Sequence, residues 1–240
     1  MTERIISVLG SGEFLPWSVE VDRYALEAAT AGDGTVVVIP TASATEGRDV
    51  FDGWARRGLE HYAAMGVDAR VSGLRFRADA FDEGVIAQLE GASMYYLSGG
   101  DPAYLADTLR GTPFWDALVR AADAGAALAG CSAGACVIGE LAPRSSRQTP
   151  NPERWATRGL RLLPGTAFGP HWNMIETWMP GAESFILSSI PEGCRLVTLD
   201  ENTAIVGKGL RWRVFGEGEV SIHLDGTRSG PFRTGDIVGL

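Results

Sequence analysis

The chain has 240 residues, enough to bury a substantial core, and its 45% hydrophobic and 21% charged content reads as soluble and globular. A net charge of −9 argues against a nucleic-acid groove, and no apolar run approaches the roughly 18 residues of a membrane span. Cys131, Cys136 and Cys194 form neither a pairing framework nor a metal-ligand spacing, so a reducing, cytoplasmic setting is expected.

In chain order, Ile5–Leu9 reads as a first strand, too short for a signal peptide because it breaks at Gly10. Further strands are expected at Thr35–Ile39, Ala69–Leu74, Met94–Leu97 and Ala126–Gly130. Helical patterns fall between them at Tyr24–Ala29, Asp49–Ala64, Gly84–Leu89 and Pro102–Ala124, the last broken near Gly111. Such alternation predicts an α/β sandwich of three layers with a mostly parallel central sheet. Past residue 140 a polar loop (Pro143 to Pro152) precedes closely spaced strands at Cys194–Leu199, Thr203–Val206, Trp212–Phe215 and Val220–Leu224. Their glycine turns predict antiparallel strands at the sheet edge. Residues 1–240 are expected to form a single α/β domain, with 207–240 as edge strands or a β extension.

In an open parallel sheet, ligands gather at the carboxyl ends of the strands. The segments leaving those ends are small or glycine-rich: Gly10–Glu13, Pro40–Ser43, Ser98–Asp101 and Gly130–Gly134. Neither Gly-x-Gly-x-x-Gly nor Gly-Lys-Ser/Thr occurs, which disfavours a nucleotide site. Gly130-Cys131-Ser132-Ala133-Gly134 fits Gly-x-Ser-x-Gly between an apolar strand and a small apolar helix start, the setting of a nucleophilic serine. Cys131 precedes the centre of that turn and is expected to pack in the core.

A serine hydroxyl needs a base, and the chain has three histidines. His61, within a helix, and His223, in an alternating late strand, read as structural. His171 follows Thr166–Pro170, a short strand ending in a Gly-Pro turn that displays a side chain, and is the expected base. Asp200 and Glu201 end another strand, and either carboxylate suits the role of orienting it. The Gly100 and Ala133 amides are the expected oxyanion donors, Gly99-Gly100 allowing close backbone approach. Asp101 before Pro102 reads first as a helix cap. Three scattered histidines and no cysteine pairs give no metal site, and no cofactor is expected. An esterase with the order Ser132, Asp200, His223 is an alternative, as is a non-catalytic binding protein keeping the fold.

Several segments together resemble peptidase family S51, the aspartyl dipeptidase (peptidase E) and cyanophycinase-like serine hydrolases. These are Tyr96–Asp101, Ala129–Ala135, Ile39–Ser43, the Leu160–Gly165 stretch with Pro170-His171, and Asp200–Ala204. The resemblance spans roughly residues 5 to 207. It implies a class I glutamine-amidotransferase-like fold and a catalytic Ser132–His171–Glu201 arrangement acting on a small peptide or amide. Neither nucleic acid nor membrane is an expected partner, and a homodimer is compatible with it. The family's arginines that bind an aspartyl carboxylate would follow the histidine, yet Trp172–Ile186 contains none. Gly99, Asp101 and Trp172 are candidate substrate contacts. A cluster of Arg144, Arg147, Arg154, Arg158 and Arg161 is a candidate source of anion recognition, with Arg147 and Arg154 foremost.

Overall fold

The structure is a computed structural model that describes residues 3–144 and 154–240. Five strands alternate with helices over the first half: β1 (Ile5–Leu9), α1 (Ser18–Ala28), β2 (Val36–Ile39), α2 (Arg48–Ala64), β3 (Ala69–Val71), α3 (Glu83–Ala87), β4 (Met94–Leu97), α4 (Pro102–Leu109), α5 (Pro113–Asp123) and β5 (Ala127–Cys131). The second half adds α6 (Ala133–Ile138), β6 (Leu141–Pro143), β7 (Ala156–Arg158), β8 (Thr166–Gly169), α7 (Trp172–Trp178), α8 (Ala182–Ser189) and β9 (Arg195–Leu199). It closes with β10 (Thr203–Lys208), β11 (Arg211–Gly216), β12 (Val220–Leu224), β13 (Thr227–Phe232) and β14 (Ile237–Val238).

The main sheet has eight strands in the order β14-β11-β10-β1-β5-β4-β2-β3. The strands β1 to β5 run parallel, and β10, β11 and β14 extend that sheet antiparallel beyond β1. Alternate residues of each parallel strand face opposite cores, as the two-residue period of a strand dictates. Ile6, Val8, Val37, Ile39 and Leu97 pack with Leu105 and Leu109 of α4, Phe114 and Leu118 of α5 and Val137 of α6. On the other face Ile5, Leu9, Val36, Val38 and Tyr96 pack with Val21 and Ala25 of α1 and Tyr62 of α2. The strands β1, β2, β4 and β5 are buried along their length, which is why they read as largely apolar runs, whereas the edge strand β3 is only partly buried.

The sequence places all the late strands at the edge of one sheet, and here the structure differs. Only β10, β11 and β14 join the main sheet, whereas β9 and β12 form a second, four-stranded sheet with β8 and β13 in the order β13-β12-β9-β8. Apolar alternation marks a strand with one buried face, but it does not state which sheet that face serves. The chain crosses from one sheet to the other at Asp200–Asn202, between β9 and β10, where Asn202 adopts φ 52°. Because β8 and β9 are parallel, with Gly169 opposite Thr198, the residues just beyond them emerge side by side.

His61, read from the sequence as structural, is buried. Its Nε2 lies 2.8 Å from Asp22 Oδ2 in a buried α1–α2 hydrogen bond, and burial pushes the Asp22 carboxyl above its ordinary value. No helix among the described residues is long and apolar enough to cross a membrane.

Candidate active site

The Ser132 turn is shaped by close packing at its two glycines. A Cβ at Gly134 would lie 2.1 Å from the Leu97 carbonyl oxygen, and one at Gly130 would lie 2.5 Å from the Gly134 oxygen. Without side chains there, α6 can sit directly on β4 and β5, and β5 can turn into α6 with no intervening loop. Ser132 itself takes φ 51° and ψ −107°, outside the favoured regions for an L-residue. Such a conformation costs on the order of 1–3 kcal/mol and persists only where the surroundings over-determine it. Its amide donates to Leu9 O at 3.1 Å, and its carbonyl accepts from the Cys136 amide at 3.1 Å.

Facing this turn is His171, two residues beyond β8 and itself left-handed at φ 54° and ψ 32°. His171 Nε2 lies 2.9 Å from Ser132 Oγ, and His171 Nδ1 lies 3.0 Å from Glu201 Oε1. With the ring proton on Nδ1 donated to the carboxylate, the Nε2 lone pair is free to accept from the serine hydroxyl. Glu201, two residues beyond β9, is held by Asn173 Oδ1, which accepts from its amide at 2.9 Å. The parallel pairing of β8 and β9 therefore brings together two residues 30 apart in sequence.

Asp200 points elsewhere, its Oδ2 accepting from the Glu219 amide at 2.9 Å. His223 lines a separate cavity with Leu187, Ile190 and Asp225, its ring 6.0 Å from that of Trp172. The set Ser132, Asp200 and His223 is thus not assembled by a comparable chain of hydrogen bonds among the described residues.

Ala133 opens α6 directly after Ser132, and Gly100 follows Gly99, which lies beside the Ser132 side chain. No hydrogen bond from either the Ala133 or the Gly100 amide to a protein acceptor occurs among the described residues. Gly100 needs its lack of a side chain: at φ 141° a Cβ would meet the Ala42 backbone at 2.3 Å. Beside it, the Gly99 amide is already engaged, donating to Glu13 Oε1 at 2.8 Å. The second oxygen of Glu13, Oε2, accepts from Cys131 Sγ at 2.9 Å, and the residue is only 6% exposed. Glu13 therefore fastens the exits of β1, β4 and β5 to one another, a role that its place in a glycine-rich loop does not announce. Burial, and then the neighbouring Glu13 carboxyl, push the Cys131 thiol well above its ordinary value, and burial pushes Cys136 to about 12. Both sulfurs are protonated at neutral pH and poor nucleophiles.

A cavity of about 580 Å³ opens beside Ser132, Ala133 and His171. Trp178 contributes to its wall, and Trp172 does not, packing instead against Gly169 and the second sheet. Asp101 caps α4, its Oδ1 accepting from the Tyr104 amide at 2.9 Å. Of the five clustered arginines, Arg144 is exposed and lines the cavity. Arg161 pairs with Glu140 at 3.0 Å, while Arg154 and Arg158 are exposed outside the lining. Arg147 lies outside the described residues.

A family model described as peptidase family S51 matches residues 6–214. The cyanophycinase of Trichormus variabilis is 30% identical over 228 residues, covering 92% of this chain and 74% of that protein. The cyanophycinase of Geminocystis herdmanii is 24% identical over 216 residues, covering 85% and 78% respectively. A crystal structure of a peptidase from an acI-B1 Actinobacterium superposes with a TM-score of 0.89 at 28% identity, covering 100% of this chain and 98% of that one. With most of its length matched by the family model and its fold shared across the whole chain, this protein belongs to peptidase family S51.

Proposed function

We propose that the chain is a serine-type peptidase or amidohydrolase that cleaves small peptides or amide-linked substrates through Ser132, His171 and Glu201. The observation that carries this reading is the continuous run of hydrogen bonds from Ser132 Oγ to His171 Nε2 and from His171 Nδ1 to Glu201. Ser132 Oγ attacks the carbonyl carbon while its proton passes to His171 Nε2. Glu201 holds the imidazole in the tautomer that accepts this proton and stabilises the imidazolium that results. The Gly100 and Ala133 amides donate to the oxygen that becomes negative, a contribution strongest when the donors are fixed in advance.

Collapse of the tetrahedral intermediate breaks the carbon–nitrogen bond, and the departing amine takes the proton from His171. A water then gives a proton to His171 and its oxygen to the acyl carbon, releasing the acid and restoring the Ser132 hydroxyl. A cytoplasmic location belongs to the same reading, since the three free, buried cysteines suit a reducing compartment.

Replacing His171 and His223 separately by alanine tests the assignment against the esterase alternative. Loss of a general base costs about 10²–10⁴-fold in rate. That loss is expected for His171→Ala and not for His223→Ala. Hydrolysis that survives the first replacement and fails with the second overturns the proposal.

A further inference from the structure

The cavity at Ser132 is apolar to a degree that specifies what enters it. We propose that the enzyme prefers a large apolar side chain, aromatic or long aliphatic, on the acyl side of the bond it cleaves. This rests on Ser132 being the nucleophile. The arginine-free stretch after His171 supplies Ile175, Trp178, Met179, Phe185 and Ile186 to the wall, and Trp155 joins them with its ring 5.8 Å from that of Phe185.

The apolar surface reaches the reacting atoms. The Trp178 ring lies 5.2 Å from the His171 ring, so the cavity wall is continuous with the base. Trp178 is 54% exposed and Met179 46% exposed, an open apolar surface of the kind that marks a binding site in a soluble protein. A volume of about 580 Å³ holds an aromatic side chain with room for an adjoining residue.

Charge points the same way. Among the described residues the wall carries one cation, the exposed Arg144, and no carboxylate. Among the described residues a cationic substrate side chain would lose its hydration here with no partner in return, and an acidic one would reach one solvent-facing guanidinium at the cost of desolvation against the apolar wall. The acyl side is favoured because Ser132 and Ala133, the residues that the acyl carbonyl meets, themselves line the cavity.

Aminoalkyl diphenyl phosphonates test this directly, since they phosphonylate an active serine and carry only an acyl-side residue. Probes with Phe, Leu, Asp and Arg side chains are compared by the rate at which Ser132 is modified, followed by mass spectrometry. The Phe and Leu probes should react at least about tenfold faster than the Asp and Arg probes, the scale of a filled apolar pocket. In Trp178→Ala, whose side chain is exposed enough to be shortened without unfolding the protein, the Phe-to-Asp rate ratio should fall. A flat profile, or one led by Asp or Arg, overturns the inference. A small alkyl fluorophosphonate without a side chain separates the two levels. Ser132 labelled by it alongside a flat or acidic profile removes only the specificity, and no labelling removes the nucleophile and the specificity together.

Discussion

Replacing Glu13 by alanine perturbs the point where three strand exits meet, and the size of the effect follows from its two hydrogen bonds. The Gly99 amide and the Cys131 thiol both lose their acceptor inside a region where Glu13 was 6% exposed. An unsatisfied buried amide costs about 1–3 kcal/mol. The thiol is a weak donor and adds less, while the lost methylene adds about 0.8 kcal/mol. Glu13→Ala should therefore lower stability by about 2–4 kcal/mol. Glu13→Gln keeps an oxygen for Gly99 and loses only the thiol's acceptor, so it should cost about 1 kcal/mol. Urea unfolding read by the midpoint at unchanged slope measures both. The site gives a second readout, because Gly99 leads directly into the Gly100 amide. If the Gly100 amide is the oxyanion donor proposed above, its displacement should reduce kcat of Glu13→Ala by about 10–100-fold with KM altered far less. If both variants unfold within about 0.5 kcal/mol of the parent and kcat is unchanged, desolvation of the carboxyl offsets its bonds and Glu13 does not hold the site.

Iodoacetamide at neutral pH should leave Cys131, Cys136 and Cys194 unmodified until the protein unfolds, because all three are buried with thiols shifted upward. Rapid alkylation of Cys131 in the folded state would instead indicate thiol chemistry at the elbow. The Asp22–His61 contact gives a pH dependence with a definite sign. Burial raises the Asp22 carboxyl in the folded state, so the stability it contributes is complete below the ordinary carboxyl value of 3.8 and declines as pH rises above it. Relative to Asp22→Asn, the parent should lose stability between acid and neutral pH in thermal unfolding. A parent that gains on the variant over that range would show that pairing with His61 outweighs burial.

The parallel core was legible because doubly buried strands are largely apolar runs: Ile5–Leu9 and Met94–Leu97 have the same bounds in sequence and structure. Pro102 and Pro113 likewise mark the starts of α4 and α5 on either side of Gly111. The second sheet was not legible. The period of β9 and β12 fixes which residues share a face, but their partners β8 and β13 lie far along the chain or on an exposed edge.

At the site, Ser132 stood out by its glycine frame and His171 by its turn, while Asp200 and Glu201 were indistinguishable from the residues alone. Geometry separates them, since Asp200 faces the Glu219 backbone and Glu201 faces the imidazole. Glu13 was missed because its partners are an amide at Gly99 and a thiol at Cys131, 86 and 118 residues away. No local pattern encodes a contact of that separation.

Labelling with an alkyl fluorophosphonate, mapped to residues by peptide mass spectrometry, reads out whether Ser132 is the nucleophile and His171 its base. The parent should carry one adduct, on Ser132, and labelling should slow by about 100-fold or more in His171→Ala, where no base receives the serine proton. Modification of a different residue would rule out Ser132 as the nucleophile, and undiminished labelling of Ser132 in His171→Ala would rule out His171 as its base.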